Sequence, residues 1–141
     1  MIIPMLKGLM LTLNRFFSKP ITTQYPEEKI PPALRWRGIH YFEKDERGKT
    51  KCVACGLCMI VCPSKCISIE TAEDEEGRRV PLTYELDASR CIYCGFCEEA
   101  CPVGAIFLGQ TYEWVDTRRS SLLLTTEKLL EEKKLNPQQK K

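Results

Sequence analysis

The sequence lacks several features that would place it in common functional classes. It has one histidine, no G-x-G-x-x-G loop for a nucleotide, and no run of about 20 apolar residues that would cross a bilayer. Its 21 Lys and Arg nearly balance its 19 Asp and Glu, so a global positive field that would attract nucleic acid is absent. Residues 1–17 do not have the pattern of a secretory signal peptide. We therefore expect a soluble or peripheral protein in a reducing compartment.

Cysteine, in contrast, is abundant. Nine cysteines occur among 141 residues, and an odd number weighs against a framework made only of disulfides. Eight of them lie in two eleven-residue phrases, Cys52–Cys62 and Cys91–Cys101, and a proline follows each phrase directly. Both phrases have the form C-x2-C-x2-C-x3-C-P. The cysteines therefore predict metal ligation.

The two phrases are copies in an internal repeat with an offset of 39 residues. The alignment also matches Gly56 with Gly95, and Ile67 with Ile106. It predicts two similar halves around a pseudo-two-fold axis. Each half should contain a strand, a cysteine loop, a short helix that begins near the third cysteine, and a closing strand. The expected closing strands are 66–69 and 105–108.

The flanks divide the rest of the chain. We expect an amphipathic, interfacial helix in residues 1–19, an extended docking strap at 20–47, the cluster-binding domain at 48–111, and a C-terminal extension at 112–141. The helix should cover residues 5–18, with one apolar side. That side carries Met5, Leu6, Leu9, Met10, Leu13, Phe16 and Phe17. It would pack either on the protein's own core or on a membrane surface or membrane subunit.

Three further segments carry weaker signals. Residues 34–42 mix aromatic and basic side chains, which favours a contact with another protein, and His40 within them receives no ligand role. The charged stretch 73–79 predicts an exposed turn between the halves. Residues 122–130 are mildly helical, with Thr126 as the expected N-cap of a helix that ends before Pro137. The last residues, 138–141, should fray.

Cysteines at this spacing suit iron–sulfur clusters, which need soft, anionic ligands. Gly56 and Gly95 let the backbone bend tightly and bring its amides close to the sulfur atoms. Zinc is the alternative, but two zinc sites of paired cysteines would leave the middle cysteine of each phrase without a role. A Rieske centre is excluded, because neither phrase contains histidine.

The phrases resemble the cysteine runs of two-cluster bacterial ferredoxins, in which the fourth cysteine binds the other cluster. The resemblance implies an α+β, dicluster ferredoxin-like fold with two [4Fe–4S] clusters and no catalytic residue. It implies one cluster on Cys52, Cys55, Cys58 and Cys101, and a second on Cys91, Cys94, Cys97 and Cys62. Cys66, which aligns with Ala105, is expected to be a small, buried apolar residue.

With its flanks, the sequence resembles subunit I of bacterial NADH:quinone oxidoreductase, respiratory complex I. The resemblance covers the strap Gln24–Glu28, the segment Arg37–His40, both cysteine phrases, and the continuation Pro63–Ile67 with its extra cysteine. It implies an electron-relay subunit on the cytoplasmic face of the inner membrane. The implied partners are an upstream iron–sulfur subunit, a subunit with the terminal cluster and quinone site, and the membrane arm, which the N-terminal helix contacts. A free soluble ferredoxin and the equivalent subunit of a hydrogenase or formate complex remain alternatives.

Overall fold

The structure, a computed structural model, describes residues 2–132. The chain divides into two compact units, Met1–Pro32 and Ala33–Lys141. Across residues 2–132, no helix is both long enough and apolar enough to cross a membrane.

The first unit contains helix α1, Ile2–Phe16, followed by a proline-rich segment without regular structure. The helix starts three residues earlier than its apolar periodicity predicts, and it ends well before Pro20. Every residue of α1 is exposed, including the apolar residues that define its amphipathic side. The ring of Phe16 contacts that of Phe17 edge-on, with 5.2 Å between their centroids.

The second unit is built from small antiparallel sheets and short helices. In chain order its elements are β1 (His40–Phe42), α2 (Leu57–Val61), β2 (Ile67–Glu73), β3 (Arg79–Asp87), α3 (Phe96–Glu99), β4 (Ile106–Leu108), a 3₁₀ turn (Arg119–Leu122), β5 (Leu123–Thr125) and α4 (Thr126–Glu132). Each half therefore runs strand, cysteine loop, helix, strand. The two similar halves that the repeat predicts are present, and the α+β ferredoxin-like fold that the resemblance implies is confirmed.

The closing strand of each half pairs with the strand that opens the other half. Strand β4 pairs with β1, where His40 lies opposite Leu108. Strand β2 pairs with β3 in a hairpin, where Ile67 lies opposite Leu86. This exchange joins the two halves through their backbones, and it places both cysteine loops against a shared core.

The shared core is apolar and includes cysteine side chains. Its buried members are Ile39, Phe42, Cys58, Cys66, Ile67, Tyr84, Leu86, Ala88, Cys97, Ile106, Leu108, Leu124 and Leu129. The rings of Phe42 and Tyr84 meet edge-on at its centre, with 4.7 Å between their centroids. Cysteines of both loops pack against this core.

Three segments differ from the sequence-based expectations. The end of the predicted strap is a buried strand: Ile39 and Phe42 belong to the core, so the expected protein contact is limited to more exposed residues such as Trp36. The charged turn is narrower than 73–79, because Glu73 and Arg79 already pair between β2 and β3. Asp74 closes the turn by accepting hydrogen bonds from two backbone amides and from the Arg78 side chain.

The C-terminal extension contains a strand that its helical pattern did not predict. Residues 123–125 form β5, which pairs with the free edge of β3 and buries Leu124. Pairing with an available sheet edge outweighs the weak helical propensity of these residues. The helix that follows begins at Thr126, one residue earlier than an N-cap at that position predicts. Its predicted end before Pro137, and the predicted fraying of 138–141, lie outside the described residues.

Candidate metal centres

Both cysteine loops turn through the same backbone conformation. Gly56 and Gly95 have φ of 76° and 86°, and each directly precedes a short helix whose second residue is the third cysteine, Cys58 or Cys97. A left-handed residue also lies two positions earlier in each loop: Ala54 at φ 49° and Tyr93 at φ 53°. Residues other than glycine adopt left-handed φ values only at a cost in conformational energy. Because both loops have such a residue at the same position, the site requires this loop shape.

The first cavity is bordered by four thiols. Three come from the first loop, Cys52, Cys55 and Cys58, and the fourth is Cys101 from the second half. The rest of the lining is mostly apolar. It consists of Phe42, Val53, Gly56, Ile69, Tyr84, Val103, Ala105 and Ile106.

The second cavity has the reciprocal arrangement. It is bordered by Cys91, Cys94 and Cys97 from the second loop and by Cys62 from the first half. The other lining residues are His40, Ser64, Cys66, Ile67, Ile92 and Gly95. The structure thus places the eight cysteines in two sets of four, and in each set the fourth member comes from the opposite half.

Backbone amides point at the sulfur atoms. Ala54 N–H donates to Cys52 Sγ at 3.4 Å, and Tyr93 N–H donates to Cys91 Sγ at 3.3 Å. Ala105 N–H donates to Cys101 Sγ at 3.1 Å. Such donors stabilise the negative charge of thiolate ligands. The loops therefore suit a ligand set that carries negative charge in a nearly apolar space.

The thiols of these sets do not ionise easily by themselves. Burial raises the pKa of Cys52, Cys58 and Cys91, and it raises the pKa of Cys97 to about 12. Neighbouring thiols add to the shift, because thiolates that share a cavity repel one another. A group of positive metal ions at the cavity would compensate this charge and hold the thiols deprotonated.

The donor set of the two sites fits [4Fe–4S] clusters. Within residues 2–132, no three His, Cys, Asp or Glu side chains form a group that would hold one metal ion. In each site four thiols from both halves border one cavity, and four cysteine thiolates are the ligand set of a [4Fe–4S] cluster. Soft thiols, inward amides and an apolar lining all match the requirements of [4Fe–4S] clusters.

Cys66 lies closer to the site than the repeat alignment suggests. It is buried, as expected, but its thiol contacts Cys62 with 3.5 Å between the sulfur atoms, and it lines the second cavity. Burial raises its pKa to about 12, which favours the protonated thiol. Although burial acts in the opposite direction, hydrogen bonds from Ser64 and Cys66 lower the pKa of Cys62. Cys66 thus acts as a donor toward its neighbour.

Sequence reasoning missed two further side chains at the sites. The Tyr84 hydroxyl lies 3.7 Å from Cys58 Sγ, and His40 Nε2 lies 3.8 Å from Cys91 Sγ. Burial raises the pKa of Tyr84 well above its usual value and lowers that of His40 to about 4. Both residues lie on strands that are far in sequence from the cysteines they contact. The only available signal was their position in the strands that open each half.

A third missed residue is Arg37. Its guanidinium packs on the backbone of Gly95, where a Cβ would approach Nε to 2.8 Å. It also pairs with Glu99, with 3.6 Å between the charged atoms. The sequence assigned Arg37 to a protein-contact segment, whereas the structure uses it to cover the second cysteine loop.

Comparison with known proteins agrees with this geometry. The family described as a 4Fe-4S dicluster domain matches residues 51–105. A chain in the structure of a membrane-bound sulfane sulfur reductase, an archaeal respiratory membrane complex, is similar to this one with a TM-score of 0.54 and 32% identity. The similarity covers 78% of this chain and 55% of that chain.

The fold and the paired cysteine sites define an iron–sulfur protein of the dicluster ferredoxin type, with two [4Fe–4S] clusters. NADH-quinone oxidoreductase subunit I 2 of Geobacter metallireducens is 44% identical over 93% of this chain and 99% of its own length. Subunit I 1 of Geobacter sulfurreducens is 46% identical over 94% of this chain and 100% of its own length. The chain belongs to the NADH-quinone oxidoreductase subunit I family.

Proposed function

We propose that this chain relays electrons within NADH:quinone oxidoreductase through two [4Fe–4S] clusters whose fourth ligands are exchanged between the halves. The first cluster is assigned to Cys52, Cys55, Cys58 and Cys101. The second is assigned to Cys91, Cys94, Cys97 and Cys62. The chain provides no bond-making chemistry of its own. It is an oxidoreductase subunit through electron transfer alone.

One observation carries the ligand assignment: each thiol-lined cavity includes three cysteines of one loop and the fourth cysteine of the other. When bound, a [4Fe–4S] cluster accepts and releases one electron. The chain's own residues hold the ligands in place, supply amide donors to their sulfurs, and surround them with apolar side chains. Crossed ligands would also tie the stability of each half to the loading of the other.

The family supports a place in a multi-subunit, membrane-associated respiratory complex. Within it we assign three partners: an upstream iron–sulfur subunit, a subunit with the terminal cluster and quinone site, and the membrane arm. Helix α1 would contact the membrane arm or the lipid surface, because its apolar side chains are exposed and it carries Lys7 and Arg15. We place the chain on the cytoplasmic face of the membrane.

The test of the ligand assignment starts with anaerobic reconstitution of the full chain. We expect about eight irons per chain and two paramagnetic signals after reduction. Cys62→Ser should chiefly disturb the second cluster, and Cys101→Ser should chiefly disturb the first. Mutagenesis therefore distinguishes crossed from uncrossed ligands, because the uncrossed arrangement predicts the opposite pairing of variant and signal.

Cys66→Ala serves as the matched control, since it removes the ninth thiol next to Cys62. It should leave the iron content and both signals in place. If the chain bound zinc in preference to iron, or if Cys62→Ser disrupted the cluster on Cys52, Cys55 and Cys58, the assignment would be wrong.

A second candidate is the equivalent subunit of another respiratory membrane complex, which the similarity to the sulfane sulfur reductase chain favours. A freely diffusing ferredoxin is a third. Mass spectrometry of the intact complex purified from membranes decides among them. The proposal expects co-purification with NADH:quinone oxidoreductase subunits, whereas a free carrier would stay in the soluble fraction.

A further inference from the structure

In each cysteine set, one sulfur lies within hydrogen-bond distance of a buried aromatic or imidazole side chain from the strand that opens the opposite half. Tyr84 of β3 reaches Cys58 in the first set, and His40 of β1 reaches Cys91 in the second. The two contacts have almost the same length, 3.7 and 3.8 Å, but their chemistry differs. One donor is a phenol and the other an imidazole.

We infer that His40 sets the reduction potential of the second cluster by donating its Nε2–H to the sulfur of Cys91. This inference rests on the proposed role of Cys91 as a ligand of that cluster. His40 would be a positioning residue, because it acts on the cluster through a ligand sulfur.

The surroundings of His40 select the donating tautomer. The side chain is 1% exposed, and Nδ1 has no hydrogen-bond partner among the described residues. A neutral imidazole has one N–H group, and a thiolate accepts hydrogen bonds but cannot donate them. A proton on Nδ1 would bury an unpaired N–H and direct the lone pair of Nε2 at a negative sulfur. A proton on Nε2 avoids both costs.

The fold also fixes the ring in this place. His40 pairs with Leu108 in the β1–β4 ladder, so its backbone position is set by the sheet. Its ring lies beside that of Tyr93, with 5.5 Å between the centroids, and both residues flank Cys91. Packing alone would be satisfied by an apolar side chain. A buried polar ring with one unpartnered nitrogen calls for a functional reason.

The direction of the effect follows from charge. Reduction adds an electron to a cluster that is already negative, and a hydrogen bond to a ligand sulfur stabilises the reduced form more than the oxidised form. Removing the donor should therefore lower the potential of the second cluster. A donor to Cys58 should act in the same way on the first cluster alone.

The test compares three variants of the full, reconstituted chain by redox titration followed with electron paramagnetic resonance. His40→Leu removes the donor and replaces it with a side chain of similar volume. It should lower the reduced-to-oxidised ratio of the second cluster about tenfold at a fixed potential, which corresponds to ~59 mV for one electron. His40→Gln keeps an N–H near the position of Nε2, so the potential of its second cluster should stay close to that of the unmodified chain. Tyr84→Phe should lower only the potential of the first cluster. An unchanged second potential in His40→Leu would overturn the inference.

A second measurement does not depend on the stability of the variants. His40 is the only histidine, so ¹⁵N-histidine labels this one ring in an untagged chain. We expect a ¹⁵N hyperfine coupling to the reduced second cluster. If both clusters form and the coupling is absent, this inference fails while the proposed function stands. If neither cluster forms, the proposed function fails first.

Discussion

The two cysteine loops share one sequence phrase and one backbone shape, but they have different surroundings. In the first loop, a Cβ added to Gly56 would meet nothing within 4 Å, and Cys55 is exposed. In the second loop, Arg37 covers Gly95, and Cys94 is partly buried. The repeat therefore provides the same ligands twice, while Arg37, in the covering segment before the first phrase, lies over the glycine of the second loop and leaves that of the first uncovered. Differences in solvent access between the two clusters should come from this cover.

The largest effect is expected where the covering segment meets the second half. A Cβ on Gly38 would overlap the carbonyl oxygen of Thr111 and would lie 2.9 Å from that of Gly109. Gly38 N–H also donates to Gly109 at 2.7 Å. Gly38→Ala should lower the free energy of unfolding by about 3 kcal/mol, because rigid backbone on both sides leaves no room. Urea unfolding of the reconstituted chain measures the change.

Gly8→Ala is the control for that variant. Gly8 lies inside α1 with nothing near its added Cβ, so alanine there should be tolerated and should favour the helix by up to about 1 kcal/mol. Equal midpoints for wild type and Gly38→Ala would contradict the close packing of the covering segment.

The loop glycines test the comparison directly. Gly56→Ala and Gly95→Ala should each cost about 1–2 kcal/mol, because both positions have left-handed φ values. Gly95→Ala should cost slightly more, since it must also displace the flexible Arg37 side chain from its place near Glu99. Urea midpoints measure both. A Gly56→Ala variant that is the more damaging of the two would reverse the expected asymmetry.

How much of this could be predicted from the sequence depends on how local each feature is. The cysteine spacing and the glycine before each third cysteine define short-range loop geometry, so the positions of α2 and α3 followed from the repeat. Strand β5 did not, because its conformation comes from pairing with β3. Arg37 and His40 were also missed as contacts of the second loop, since that contact depends on how β1 pairs with β4.

Cys66 illustrates the same limit within the site. The repeat aligns it with Ala105, and alignment alone makes it dispensable. The alignment does not show where the Cys66 side chain points. In the structure, the turn after Pro63 brings the sulfur of Cys66 back to that of Cys62. The sequence therefore predicted that Cys66 is buried, but it did not predict the contact of Cys66 with Cys62.

The two clusters should differ in how fast they are lost. In the isolated reconstituted chain, an oxidant or an iron chelator should remove the first cluster several-fold faster than the second, because Cys55 is exposed and Gly56 is uncovered. The decay of the two paramagnetic signals measures the rates. Arg37→Ala should bring the rates closer together by uncovering the second loop. Equal rates in the unmodified chain would show that this cover does not protect the second cluster.

The smallest effect is expected where the halves differ in residue but not in conformation. Lys65 has φ 48°, and Gly104, its counterpart in the repeat, has φ 55°. A left-handed residue other than glycine costs about 1–2 kcal/mol, and the flexibility of glycine in the unfolded chain offsets part of this. Lys65→Gly should therefore stabilise the reconstituted chain by about 0.5–1 kcal/mol. Gly104→Lys should destabilise it by a similar amount, because an added Cβ makes only an ordinary contact with Phe107. If both substitutions changed the urea midpoint in the same direction, the two turns would not be equivalent. The structural similarity of the halves would then not extend beyond the last cysteine of each phrase.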